Sequence, residues 1–332
     1  LTEFPIFEDE AQYLLLAEEI ARNPLGNFFI YLKHGLLPAF GWIVAPLGAL
    51  LGDSLLAGRL INVFLASSLI FWIEKVGKLY SMPKSYVFFA TAFLIVSPNL
   101  LLNTRVALLD TPVLVFTAWY LYFTAKLIRE SGTKGSLGLA LSLLGAFLTK
   151  ATAIFGLPAA AIIVILNKKV NLKPAFAYFK IARVYFEFTR NKLVYFLVFV
   201  LLVIVYIVFG QQLVADSGSS LVTYLKPDEL LSKVRLNIWL TLHWFNIYYK
   251  PFLLIFVLYV IFLRSIRKHE LYLIMAVWLF TSMILMIALN RFYFPRHTLL
   301  FVAPLAVIMA GILSEIPKRI ATITFLVVLF FG

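Results

Sequence analysis

Apolar runs of membrane-span length recur along the whole chain, separated by short polar breaks. They lie at about 55–73, 85–102, 111–128, 136–149, 152–167, 193–210, 251–264, 270–289, 297–314 and 319–332. A helix crossing the hydrocarbon core of a bilayer needs roughly 20 mostly apolar residues. In lipid only helices and closed barrels satisfy every backbone group, and these runs lack the strict alternation of barrel strands. The sequence therefore predicts an all-α fold, a polytopic transmembrane helical bundle. Composition agrees: 62% of the residues are hydrophobic and 14% charged, against roughly 25% charged in soluble domains.

The charges that remain give the topology. If residues 1–53 face outward and the loops alternate from there, every inner loop is basic. These loops hold Lys75, Lys78 and Lys84, then Lys126, Arg129 and Lys134, then seven Lys and Arg within 168–192, then Arg264, Arg267 and Lys268, and finally Lys318 and Arg319. Residues 1–53 instead carry seven acids (Glu3, Glu8, Asp9, Glu10, Glu18, Glu19 and Asp53) against Arg22 and Lys33. This is the positive-inside pattern, and it accounts for the net charge of +13 without nucleic acid as a partner. The chain has no cysteine, which excludes disulfides, thiolate metal sites and a cysteine nucleophile. It opens on Leu1 and stops inside an apolar run at 329–332, as expected for a piece that lacks an N-terminal span and some C-terminal sequence.

Two regions are predicted: an outer segment, 1–53, and a multi-pass helical domain, 54–332. Within the outer segment, Tyr13, Leu16, Ala17 and Ile20 recur at helical spacing, with Glu18, Glu19 and Arg22 opposite. That pattern predicts an amphipathic helix over 10–23 lying in the membrane interface. Residues 36–51 form a second apolar stretch, broken by Pro38 and Pro46. The basic, aromatic inner segment 168–192 is expected to rest on anionic lipid.

The polar residues of the outward loops collect on one side of the membrane. They are Asp9 and Glu10 with Tyr13; Lys33 and His34; Arg105 and Asp110; Lys150; Asp216, Asp228, Glu229 and His243; and Arg291, Arg296 and His297. Asp9, Asp110 and His34 together could hold a divalent cation, or one carboxylate could serve as a general base. Arg105, Lys150, Arg291 and Arg296 suit a phosphate, Arg through its bidentate fork and Lys as a point charge. Acids beside cations at a lipid interface suggest chemistry on a lipid-linked phosphate. Plainer readings stand beside this one. Asp9 with Gln12 fits a helix capping box, and Asp110-Thr111-Pro112 fits a helix start. The late arginines could snorkel to the interface, and His243 sits among Trp239, Trp244, Tyr248 and Tyr249 as in an aromatic belt.

Five stretches occur in order: "DEAQY", "GDSLLAGRLIN", "RVALLDTPVLVF", "GAFLTKATAIFGLPAA" and "RHTLLFVAPLAVIMAG". Together they resemble the GT-C membrane glycosyltransferases, in particular the group containing dolichyl-phosphate-mannose–protein mannosyltransferases and bacterial lipid A aminoarabinose transferases. The resemblance runs from about residue 7 to about residue 314. It implies a GT-C-like bundle with interfacial helices in the first outer loop, in the plasma membrane of a prokaryote, with the active site on the outer face. It implies inverting transfer of a sugar from a polyprenyl-phosphate donor to a glycan, lipid or protein acceptor. Asp9, with Glu10 adjacent, takes the family's catalytic carboxylate position, and Asp110 that of its second-loop acid. Lys150 and Arg296 match its cations; the charge pattern itself, rather than the resemblance, adds Arg105 and Lys33 as further phosphate contacts and His34 with Asp9 and Asp110 as ligands of a divalent cation. One departure falls at "KHGLLP", where many relatives carry an acid, a Lys and two prolines. The alternative is a transporter or flippase of lipid-linked sugars, which would place charges deep within its spans.

Overall fold

The computed structural model describes residues 5–130, 135–166, 227–261, 269–289, 295–317 and 319–324. The regular structure of those residues is all helical, without strands. The elements in order are α1 (Glu8–Arg22), α2 (Ile30–Lys33), α3 (Ala39–Leu51), α4 (Ser54–Leu79), α5 (Lys84–Val96), α6 (Pro98–Asn103), α7 (Asp110–Glu130) and α8 (Ser136–Thr149). A 3-10 turn at Ala151–Gly156 leads into α9 (Leu157–Leu166). Then come α10 (Pro227–Ile261), α11 (Glu270–Leu289), a 3-10 segment at Pro295–Phe301 and α12 (Val302–Glu315).

Among the described residues, four helical stretches are long and apolar enough to cross a membrane: Ser54–Leu79, Asp110–Glu130, Glu270–Ala288 and Pro295–Glu315. The expected run at 85–102 is split, because Ser97-Pro98 ends α5 and starts α6, with the Ser97 hydroxyl accepting from Leu100 N at 3.5 Å. The expected run at 152–167 is likewise divided into the 3-10 turn and α9. Residues 227–250, expected in an outer loop, are part of the 35-residue α10. Its start was signalled by Pro227 followed by two acids, a combination suited to the first helical turn. The run at 193–210 and the basic segment 168–192 lie outside the described residues, as do 211–226 and 325–332.

Helix α7 packs against α4, α8 and α9, while α11 packs against α9 and α12, and α12 against α5. Trp72 ties this core together: its indole N–H donates to the Ala118 carbonyl at 2.7 Å, and its ring meets Trp278 edge-on at 6.3 Å. Charges sit at the ends of these helices. At one end Arg129 pairs with Glu270 and lies 4.1 Å over the Tyr80 ring.

At the other end, α1 and α3 form a second core with the start of α4 and the 106–109 segment. Tyr13, Leu14, Leu16, Ala17 and Ile20 of α1 are buried there with Phe40, Val44 and Ala45 of α3. This agrees with the amphipathic helix read from the sequence, with its boundary two residues earlier. Tyr31 fits between α1 and α3 because position 41 is glycine; a Cβ there would stand 2.1 Å from the Tyr31 ring. Gly52, at φ +70°, ends α3, and the Asp53 carboxylate caps α4 by accepting from Leu56 N at 2.9 Å.

The centre of this second core is ionic. Glu10 and Arg59 are both fully buried, joined by Nε–Oε1 at 2.8 Å and Nη2–Oε2 at 2.9 Å. Glu10 Oε1 also accepts from Ala107 N at 2.7 Å. One helical turn along α4, Asn62 donates to the carbonyls of Val106 and Leu108 at 2.6 and 2.9 Å. The 106–108 backbone is thus gripped on its amide by α1 and on its carbonyls by α4. A buried ion pair left with one partner costs about 3–5 kcal/mol, whereas replacing both by apolar groups is far milder. Arg59→Met alone should therefore lower thermal stability in detergent much more than the double change Glu10→Leu with Arg59→Met, as followed by the melting of tryptophan fluorescence.

Candidate functional site

Five side chains from four separate segments meet beyond that clamp. Asp9 is the second residue of α1, and Tyr13 lies one turn further along the same helix. Asp110 is the first residue of α7, three positions beyond the clamped Ala107. Lys150 ends α8 in an extended conformation, turning the chain into the 3-10 segment that follows. Arg296 lies in the 3-10 segment before α12. The Lys150 ammonium donates to Asp110 Oδ1 at 2.7 Å, Arg296 Nε stands 3.7 Å from Asp110 Oδ2, and the Arg296 guanidinium pairs with Asp9 Oδ2.

The cluster balances two carboxylates against two cations along a gradient of exposure. The side chain of Asp110 is 4% exposed, those of Lys150 and Arg296 23% and 22%, and that of Asp9 38%. Asp110 is therefore the buried anchor and Asp9 the group that faces outward. Burial, reinforced by the charges of Asp110 and Asp9 and opposed by Arg296, pushes the Tyr13 hydroxyl far above the usual tyrosine range. It remains a neutral hydrogen-bond donor across the working pH range. His297 is buried within electrostatic reach of Lys150, Asp110, Arg296 and Asp9.

Helix α1 does not use Asp9 as its cap. Its cap is Phe7, two residues earlier, and Glu10 Oε2 accepts from Phe7 N at 3.4 Å. The capping box read for Asp9 and Gln12 is thus displaced by Glu10, which leaves the Asp9 carboxylate for Arg296. The carboxylate of Asp110 is likewise directed to Lys150 and Arg296, at the start of a helix as its sequence implies.

A polar scaffold that the sequence did not flag holds the Arg296 segment in place. The buried Asn99 amide donates to Tyr249 Oη at 2.7 Å and to Thr298 Oγ1 at 2.8 Å, and Tyr249 Oη donates to the Thr298 carbonyl at 2.7 Å. The segment two residues beyond Arg296 is thereby fixed to α6 and α10. The single clue lay in Asn99, directly after Pro98 in an otherwise apolar stretch.

The other candidates divide. Glu10, expected beside Asp9 in the chemistry, turns instead into the core, where both its oxygens are engaged. Lys33 and His34 are exposed at the end of α2, and no ion pair joins them to the cluster among the described residues. Arg105 is exposed in the turn between α6 and α7. His243 stacks on Trp239 with centroids 5.0 Å apart, as the aromatic reading anticipates. Arg291 and Asp216 lie outside the described residues, and so do the side chains of Asp228 and Glu229.

Among the described residues no three His, Asp or Glu side chains are gathered as metal ligands. Of the donors expected for a divalent cation, Asp9 and Asp110 each face a cationic side chain, and no ion pair joins His34 to them among the described residues. Because Lys150 and Asp110 are in direct contact, their substitutions should not be additive. A double-mutant cycle with Asp110→Asn and Lys150→Met, read by thermal stability, should give a coupling energy of about 1–3 kcal/mol. No family model matches the chain, and neither the curated proteins nor the solved structures compared with it give a match.

Proposed function

We propose that this chain is a membrane glycosyltransferase that moves a sugar from a polyprenyl-phosphate donor to a hydroxyl acceptor on the outer face, with inversion. The observation that carries this reading is the convergence of Asp9, Asp110, Lys150 and Arg296, drawn from four segments, at one end of the spanning helices. Such a cluster has a partly exposed carboxylate to take a proton and two cations to meet a phosphate. The polyprenyl tail would lie in lipid, its phosphate against Lys150 and Arg296, with Arg105 and Lys33 as further candidates. Asp9 would receive the acceptor's proton as its oxygen attacks the anomeric carbon and the C–O bond to phosphate breaks. The cations would stabilise the charge that grows on the leaving phosphate, which counts only where it is stronger in the transition state. A single displacement needs no second carboxylate as nucleophile.

The basic ends opposite the site, at Lys75, Lys78, Lys126 and Arg129, support an outward-facing cluster by the positive-inside rule. A multi-pass protein in a prokaryotic plasma membrane, with a GT-C-like bundle, is the setting that the resemblance suggests. A transporter of lipid-linked sugars would be expected to carry charge at broken helices near mid-membrane. Here the ion pairs described lie at helix ends, which favours the enzyme.

The test is transfer of radiolabelled sugar from polyprenyl-phosphate donors to membrane acceptors by the full-length protein, beside Asp9→Asn with its fold checked. Loss of a general base typically costs roughly a hundredfold to ten-thousandfold in rate. Equal transfer by the two proteins would remove Asp9 from the chemistry, and absence of transfer from every donor would sink the reading.

A further inference from the structure

Resting on the lipid-phosphate reading above, we propose that the Asp9–Arg296 ion pair is a latch that a donor phosphate opens by drawing Arg296 to itself, which releases the whole Asp9 carboxylate to act as the base. In the structure Asp9 Oδ2 is held by Arg296. The guanidinium takes up one of the two carboxylate oxygens, so an acceptor hydroxyl meets only the other until the pair opens.

Three features let the Arg296 guanidinium exchange Asp9 for a phosphate. Asp110 has its own closer cation, Lys150 at 2.7 Å against 3.7 Å for Arg296 Nε, so a shift of Arg296 does not strand a buried carboxylate. Asp9 is 38% exposed, so once released it is solvated and open to an incoming hydroxyl. The two backbones are also fixed independently, α1 by Glu10 on Arg59 and the Arg296 segment by Asn99 on Thr298. The latch can then open by side-chain rotation alone. A phosphate competes well for the guanidinium because it accepts two parallel hydrogen bonds from the fork.

With the donor in place, the acceptor oxygen forms its bond to the anomeric carbon and gives its proton to Asp9. The carbon–oxygen bond to phosphate breaks, and its electron pair leaves with the lipid phosphate. That phosphate gains one negative charge, so Lys150 and Arg296 hold it more strongly at the moment Asp9 is neutralised.

The experiment labels carboxylates with a water-soluble carbodiimide and an amine on the full chain in phosphatidylcholine nanodiscs, and reads Asp9 by peptide mass spectrometry. A long-chain polyprenyl phosphate should raise Asp9 labelling by up to roughly fivefold, the limit set by opening a part-exposed ion pair. Arg296→Gln should show the same rise with no lipid added, and if that variant does not fold, the wild-type arm decides. Native mass spectrometry reports separately whether the polyprenyl phosphate binds. Binding without any change at Asp9 overturns the latch and leaves the lipid-phosphate reading standing, whereas no binding overturns that reading itself. An equal rise with inorganic phosphate, or with phosphatidylglycerol in the nanodisc, would overturn the donor as the key to the latch.

Discussion

The pairing of Glu10 with Arg59 is the constraint on which the rest of this end of the molecule depends. Two charges buried to zero exposure must find each other in good geometry or exact a heavy cost in stability, and here they do so through a two-pronged contact. The pair sets the rotation of α1 about its axis and seats α1 on α4. Through Ala107 N it also fixes the backbone just before α7. Asp9 and Asp110 are the neighbours of the elements so fixed, and each inherits its position from a group that takes no part in the cluster. Asn62 acts on the same segment from the opposite side.

The placement of charge follows from the solvent in which such helices would sit. An ionic group at mid-bilayer is expensive, so the helix ends are where polar chemistry accumulates. One end gathers the Asp9–Arg296–Asp110–Lys150 cluster, the other the Arg129–Glu270 pair beneath Tyr80. The four-membered cluster is electroneutral as a set. Two pairs can therefore sit partly buried without the large field that four like charges would create.

Much of this was legible in the sequence, for identifiable reasons. Long apolar runs and basic breaks have a one-to-one physical meaning in a membrane, so the all-helical class and the positions of α4, α7 and α11 could be read directly. Asp9, Asp110, Lys150 and Arg296 stood out because few charges fall between spans, and the structure brings all four together. What was not legible depended on direction rather than on residue type. Adjacent acids in a helix point about 100° apart, so nothing in "DE" told which would face inward. Hydrogen bonds from Asn99 and Asn62 to distant backbone and side-chain partners leave no periodic trace. The interruption at Ser97-Pro98 was visible as a proline, but its effect, a short α5 and a separate α6, required the fold.

The divergent directions of Asp9 and Glu10 carry a consequence for how such a sequence could change over time. The two acids are not interchangeable copies of one function, so their order carries meaning. Exchanging them would preserve charge, composition and helix propensity. It would nevertheless aim the longer side chain at Arg296 and leave the shorter one reaching for Arg59 across a gap of one methylene. Inserting a single residue between Glu10 and Tyr13 would turn the stretch ahead of it by about 100° relative to the rest of α1, taking both acids off their partners. Drift in this short region is therefore confined to positions that preserve phase, such as the exposed Gln12 and Leu15, while the acidic pair behaves as a single ordered unit.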